Sequence, residues 1–172
     1  LKTFLGFNDP YITIDNLKVS SDKIISLFDF EKISNFYKIN NSDSILEIGA
    51  GSGRLADCIL SIENNINYTI CDIPPSLYIS YKRLKLAFPK KKIKLLIDCE
   101  NQEKLNENIN NNHISFIFPH QLKLFSKKFF DLVLAIDCLH EMDKKTVKLY
   151  FNQINICSKY LYFSVWKKTN VP

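Results

Sequence analysis

The sequence predicts an α/β fold in which a doubly wound, mainly parallel sheet carries helices on both faces. Short apolar runs alternate with helical patterns from residue 44 onward, as in chains that build parallel sheets. Several of these runs are almost continuously apolar, which is typical of strands buried on both sides. A glycine-rich turn at residues 49–53 joins the first run to a helix, where ligands bind in such sheets.

The individual elements follow from residue periodicity and from turn and capping residues. Strands are predicted at residues 44–48, 68–73, 114–118, 129–136 and 160–166. Helices are predicted from residue 21 to the Asn-rich break at 40–43, and at residues 54–62, 76–87 and 143–157. In the helix at 76–87, Ser76 is the expected cap and Pro74-Pro75 only ends the preceding strand.

Three segments give weaker signals. Residues 1–20 are mixed, with a turn expected at residues 8–10. Residues 93–97 form a short apolar run to which we assign no role, and residues 99–113 are predicted to be a surface loop or a weak helix. We see no internal repeat and no linker.

We divide the chain into an N-terminal helical segment at residues 1–40 and an α/β domain at residues 41–172. The first segment is rich in aromatic residues at positions 28, 30, 36 and 37. We expect them to pack against the core. The alternative is that residues 1–40 form a lid over the substrate.

Composition excludes some partners and compartments. The formal charge of +5 comes almost entirely from lysine, with arginine only at Arg54 and Arg83, so we expect no nucleic-acid partner. No apolar run is long enough to span a bilayer, so we expect no membrane association. The five cysteines include no Cys-x-x-Cys pair and suit a reducing compartment, which favours the cytoplasm.

The glycine turn and two acidic residues form the candidate binding site. Alternate glycines let a ligand approach the backbone, and the following helix directs free N–H groups into the same space. Glu47, two residues before the first glycine, is an ionisable group in a buried strand, and it needs a partner there. Asp72 ends the next strand, where a carboxylate can accept both hydroxyls of a ribose.

These residues carry a family resemblance. Glu-x-Gly-x-Gly-x-Gly at residues 47–53 resembles motif I of class I S-adenosylmethionine (SAM)-dependent methyltransferases, and Asp72 matches their second-strand acid. Residues 130–134 (Phe-Asp-Leu-Val-Leu) resemble the strand that precedes their active-site loop. The short motifs at residues 72–76, 119–122 and 140–142 are similar to those of the sugar O-methyltransferase family.

The resemblance implies a Rossmann-like fold, SAM as cofactor and a sugar or similar small polyol as acceptor. The cofactor-binding positions that it implies are Glu47, Gly49, Ala50, Gly51, Gly53, Asp72, Ile73, His120, Gln121 and Asp137. Methyltransferases of this class continue after the fifth strand into a helix and an antiparallel hairpin. Because the sequence stops at Pro172, we expect that hairpin to be absent from it, either because the sequence lacks its C-terminal part or because the fold is trimmed.

Two alternatives remain open. The frame Gly51-x-Gly53-x-x-Ala56 is a tolerable dinucleotide fingerprint, so a nicotinamide-binding domain competes, with Glu47 as the main discriminator. The chain could also be a SAM-fold module that has lost catalysis and serves as a binding partner. The sequence does not indicate an oligomeric state.

His140 and Glu141 are the candidate catalytic residues. His140 could act as general base on an acceptor hydroxyl, with Glu141 holding it or binding substrate. The alternative is that Asp137 and Glu141 only cap the next helix, a role for which Asp143 is also a candidate. No metal site is expected, because the metalloprotease pattern needs a histidine where Lys144 stands.

Overall fold

A parallel β-sheet of six strands forms the centre of the protein. The computed structural model describes residues 11–96 and 98–167. A separate antiparallel hairpin, β1 and β2, precedes the sheet, whose strand order is β5-β6-β4-β3-β7-β8. The strands are β1 Tyr11–Ile14, β2 Leu17–Ser20, β3 Ser44–Ile48, β4 Asn67–Cys71, β5 Ile93–Leu95, β6 Ile114–Ile117, β7 Phe130–Ile136 and β8 Ser158–Ser164.

Five α-helices and two short 3₁₀ turns connect the strands. The helices are α1 Ser21–Phe36, α2 Arg54–Ile62, α3 Pro74–Ala87, α4 Gln102–Asn111 and α5 Lys144–Cys157. The 3₁₀ turns are Pro119–Leu124 and Leu139–Glu141. Within the described residues, no helix has the length and apolar character needed to cross a bilayer.

The helices cover both faces of the sheet, which confirms the predicted α/β architecture. Alternate residues of each central strand face opposite sides. On β3, Ile45 packs with α1, α2 and α3, whereas Leu46 and Ile48 pack with α4, α5 and the Pro119–Leu124 turn. Apolar side chains form most of both cores, as expected for strands buried on both sides, but Glu47, Thr69 and Ser115 are buried in the same strands.

The strand order creates a switch point beside β3. From β3 the chain moves outward through β4 to the edge strand β5, returns to form β6 between β5 and β4, and then crosses to the other side of β3 to form β7 and β8. Every strand pair in this sheet is parallel, so the carboxyl ends of β3, β4 and β7 meet at one edge. Ligands bind at such an edge because the loops diverge there.

Several predicted boundaries were wrong: β4 ends at Cys71 and α1 ends at Phe36, both short of the predicted end. For two other elements the structure makes the reason plain. Pro74 and Pro75 occupy the first turn of α3, where a missing N–H has no helical partner to lose, and Ile73 is the cap residue in place of Ser76. The last strand starts at Ser158 and ends at Ser164, two residues earlier than predicted at each end. Its edge position leaves Tyr160 and Phe163 exposed, which weakens the apolar pattern.

The segments with weak signals are ordered in different ways. Residues 93–95 form an edge strand beside β6, and the Asn-rich segment contains α4. This helix is polar on most sides, but Leu105 and Ile109, four residues apart, are buried, and the Asn101 side chain caps the first turn by accepting the N–H of Lys104. The turn expected at residues 8–10 lies outside the described residues.

From residue 11 onward, the N-terminal segment forms a hairpin followed by α1. Asp15 and Asn16 have positive φ angles and form the two-residue turn between β1 and β2. The expectation that the aromatic residues of α1 pack in the core was wrong for Phe28, which is 57% exposed. Phe36 is also exposed but contacts the ring of Tyr162, with 5.6 Å between centroids.

Candidate functional site

The glycine turn forms the floor of the site. Gly49 has φ +70°, and a Cβ there would collide with Cys138, whose Sγ would lie 2.9 Å away. Gly51 has φ +57° but faces open space, with no atom within 4 Å of a Cβ built on it. Gly49 is therefore required by close packing inside the protein, whereas Gly51 leaves its backbone open to a ligand. Gly53 faces Ser80 of α3.

Asp72 is joined to this turn by its carboxylate. One oxygen accepts the N–H of Gly51 at 2.8 Å, and the other accepts the N–H of Ile73 at 2.7 Å. Burial raises the pKa of Asp72, although both backbone bonds favour its charged form. Each oxygen keeps a second lone pair, so Asp72 can fix the turn and still accept hydroxyls. The neighbouring Ile73 exposes an apolar side chain beside it.

Glu47 is the most deeply buried acid of the site. Its side chain is 3% exposed, and its Oε2 accepts the hydroxyl of Tyr68 at 2.9 Å. Burial raises the pKa of Glu47 to about 7, although the Tyr68 hydroxyl and the charge of Arg54 both act to lower it. Burial thus makes the ionised form of this carboxyl group costly. A cationic ligand would convert it to the carboxylate.

Arg54 connects three segments around the turn. It follows Gly53 directly, and its Nη1 contacts Asp29 Oδ2 at 2.9 Å and Ser26 Oγ at 3.2 Å, both on α1. Its Nη2 lies 4.0 Å from Asp137 Oδ2, in the turn after β7. Asp137 has φ +54°, and its N–H is bonded to the carbonyl of Ser164 on β8. The two strand ends β7 and β8 are thereby tied to the glycine turn.

His140 lies in the turn after β7, beside the glycine turn. Cys138, two residues earlier, packs on Gly49 and donates its thiol to the carbonyl of Ile48 at 3.1 Å. The His140 ring is buried and stacks on the indole of Trp166, with 4.6 Å between centroids. Glu141 is exposed, yet its charge acts to raise the pKa of Asp72, so the two carboxylates share one region.

Two alternatives for the acids after β7 are resolved by the α5 cap. Asp143 caps α5 by accepting the N–H of Thr146 at 2.8 Å. Asp137 and Glu141 have no capping role in the described structure of α5 and remain available to the site.

In the turn after β6, the side chain of Gln121 is bonded within the protein, whereas the sequence predicted that it binds the cofactor. Gln121 is buried, and its amide nitrogen donates to the carbonyls of Leu96 and Cys99, both at 2.7 Å. Its amide oxygen accepts the N–H of Phe118 at 2.8 Å. Because both N–H donors are engaged within the protein, Gln121 shapes this loop. His120 is exposed and lines a shallow cavity with residues of α5.

The structure thus brings Glu47, the glycine turn, Asp72 and Asp137 to one edge of the sheet. Sequence reasoning missed three contacts of the site: Tyr68 with Glu47, Asp29 with Arg54, and Trp166 with His140. For Arg54 the sequence did contain a signal, because arginine occurs at only two positions and one of them directly follows the glycine turn. Tyr68, Asp29 and Trp166 each lie more than 20 positions from the residue that they contact, so these contacts leave no local pattern in the sequence.

No protein-family model matches the chain, and no curated protein sequence is similar to it. Solved structures do match. A candidate O-methyltransferase from Nostoc punctiforme superposes with a TM-score of 0.51 at 14% identity, covering 84% of this chain and 35% of its own.

Two further structures are similar to the same extent. A candidate SAM-dependent methyltransferase from Methanococcus maripaludis gives a TM-score of 0.52 at 16% identity over 83% of this chain and 54% of its own. Phosphoethanolamine N-methyltransferase 2 from Haemonchus contortus, solved with SAM, gives 0.51 at 13% identity over 77% and 26%. The chain spans between about a quarter and about a half of the length of these proteins.

At this level of identity the likeness concerns architecture alone. It agrees with the mainly parallel sheet of six strands flanked by helices. The chain has the Rossmann-like α/β fold found in SAM-dependent methyltransferases, O-methyltransferases among them.

Proposed function

We propose that this chain binds SAM and catalyses methyl transfer to a hydroxyl of a small-molecule acceptor, a sugar or similar polyol. The observation that carries the proposal is the buried Glu47 carboxyl at the end of β3, beside a glycine turn open to a ligand. A buried acid with a pKa near neutrality is costly for folding and useful for binding a cation. SAM carries a cationic amino group and no phosphate.

The residues fit such a cofactor. Gly51 leaves an open space in front of the turn, Asp72 has free lone pairs for ribose hydroxyls, and Ile73 offers apolar surface beside it. The main chain at Ala50 and the Asp137 carboxylate complete the proposed contacts, and His120 with the loop fixed by Gln121 is the proposed adenine edge. The acidic residues would repel the pyrophosphate of a nicotinamide dinucleotide, which disfavours that alternative.

When bound, SAM supplies an electrophilic methyl group on a sulfonium sulfur. The acceptor oxygen must lose its proton as the new carbon–oxygen bond forms. His140 is the proposed base, because an imidazole nitrogen can take that proton, and Trp166 packs on the ring. Glu141 is proposed to bind the acceptor, and alignment of the hydroxyl with the methyl group contributes the remaining acceleration.

Transfer of a labelled methyl group from SAM to a panel of monosaccharides and polyols tests this proposal. The expected result is label in a sugar, with loss of transfer but not of S-adenosylhomocysteine binding in His140→Gln. Binding of S-adenosylhomocysteine without transfer to any member of the panel would favour a non-catalytic module. Methylation of another acceptor class would overturn the sugar assignment alone.

A further inference from the structure

We propose that Arg54 is a positioning residue that fixes α1 and the Asp137 turn around the glycine turn and keeps Glu47 ready to bind a cation. This inference rests on the proposed function, because its readout is cofactor binding. Arg54 itself is not proposed to be one of the reacting groups. It acts through Glu47, Asp29 and Asp137.

The first argument is geometric. The guanidinium of Arg54 is largely buried, with its side chain 21% exposed, and it reaches carboxylates on two different segments. Asp29 belongs to α1, before the sheet, and Asp137 to the turn after β7. A planar fork with several donors can span two acids, whereas a lysine ammonium acts as a single point charge.

The second argument is the placement of arginine in the chain. Only two of the 23 basic residues are arginines, and both lie at the glycine turn. Arg54 follows the turn directly and contacts Asp29 on α1. Arg83, on α3, contacts the hydroxyl of Ser52 within the turn at 3.3 Å and Asp57 on α2 at 3.5 Å. The remaining basic residues are lysines, so a rigid bidentate cation occurs only here.

The third argument is electrostatic. The charged and titratable groups that act on Glu47 are Tyr68 on β4, Asp72 after β4, Asp29 on α1 and Arg54 on α2, and the Cys138 thiol lies on the other side. Asp72 and Asp29 raise the pKa of Glu47, whereas Arg54 lowers it. Arg54 is the one cation among these groups, so it favours the ionised carboxylate that a cationic ligand needs.

The test is the pH dependence of S-adenosylhomocysteine affinity, measured by calorimetry between pH 6 and 8.5. In the wild-type chain the affinity should rise with pH as Glu47 ionises. In Arg54→Met the rise should move to higher pH, and the affinity at pH 7 should fall about tenfold, the effect of losing one charged interaction. Arg54→Lys should restore the pH profile but not the full affinity, because it keeps only the charge.

Asp29→Asn provides an opposite prediction. Removing this acid should move the affinity profile to lower pH, since Asp29 raises the pKa of Glu47. If Arg54 had a structural role only, the two substitutions would not shift the pH dependence of affinity in opposite directions. Lys159→Met is the matched control, because the Lys159–Asp131 ion pair lies at the other end of β7. It should leave affinity and profile unchanged.

The outcomes separate the two proposals. Wild-type affinity and an unchanged pH profile in folded Arg54→Met and Asp29→Asn would overturn the positioning role and leave SAM binding intact. If Arg54→Met does not fold, Asp29→Asn and Arg54→Lys decide the question by the same criteria. No binding by the folded wild-type chain would overturn the proposed function, and the positioning role with it.

Discussion

Replacement of Glu47 by glutamine should make the protein more stable while it weakens cofactor binding. The Glu47 carboxyl is buried, and its pKa is about 7 where an unperturbed glutamate has 4.5. Glutamine has nearly the same shape, cannot ionise, and can still accept the Tyr68 hydroxyl through its amide oxygen. The substitution therefore removes the cost of a buried charge with little change in packing.

The sign and size follow from the two pKa values. Below pH 4.5 the carboxyl is protonated in both the folded and the unfolded state, so it causes no difference in stability. As the pH rises towards 7, the unfolded state loses its proton first and the folded state becomes relatively less stable. Above pH 7 the cost is constant at about 3 kcal/mol, from about 1.4 kcal/mol per pH unit of difference.

Urea unfolding at pH 4.5 and pH 8 measures this effect. Glu47→Gln should match the wild type at pH 4.5 and exceed it by up to about 3 kcal/mol at pH 8. Its affinity for S-adenosylhomocysteine should fall at least about tenfold at pH 8. Glu107→Gln, which neutralises an exposed acid on α4, is the control and should change neither quantity. Equal stability at both pH values with undiminished affinity would refute the assignment.

Four further substitutions probe the rest of the site. Asp72→Ala should weaken S-adenosylhomocysteine binding by about 1.5–3 kcal/mol in a calorimetric titration, the scale of a charged hydrogen bond; unchanged affinity in the folded variant would refute the ribose placement. Gly49→Ala should lower thermal stability much more than Gly51→Ala, because only Gly49 meets Cys138, while Gly51→Ala should mainly reduce binding; the reverse order would contradict the open-turn geometry. His140→Gln should reduce methyl transfer by about 10²-fold or more and change S-adenosylhomocysteine affinity less than twofold; comparable transfer would remove its role as base.

The central strands could be predicted because their physical signals are local. β3 and α2 agree with the expectation at both ends, since a buried apolar strand, a glycine turn and an amphipathic helix each have a pattern of their own. The acids of the site were also visible, because an ionisable residue in an apolar strand or at its end is conspicuous. The fold class and the candidate site at this edge of the sheet therefore follow from short windows of sequence.

The edge elements were harder because tertiary contacts decide them. β5 is three residues long and mostly exposed, so its ladder with β6 defines it and its own composition does not. In α4, two buried apolar residues and an asparagine cap overcome the low helix propensity of the Asn-rich segment. Propensity alone underestimates such a helix, because its stability comes from packing.

Long-range partners of the site residues could not be predicted at all. Tyr68 meets Glu47 across 21 positions of sequence, and Cys138 meets Ile48 across 90. The amide of Gln121 could hydrogen-bond a ligand, but three backbone groups already bond to it. A polar side chain in a loop can bond either to the loop itself or to a ligand. Which of these it does depends on the positions of carbonyl groups that are distant in sequence.

Calorimetric titration of the purified chain with S-adenosylhomocysteine, with NAD in parallel, tests the central claim most directly. The geometry of Glu47, Asp72 and the open turn at Gly51 predicts micromolar binding of S-adenosylhomocysteine and none of NAD. Binding of NAD, or failure of a well-folded chain to bind S-adenosylhomocysteine, would contradict the account.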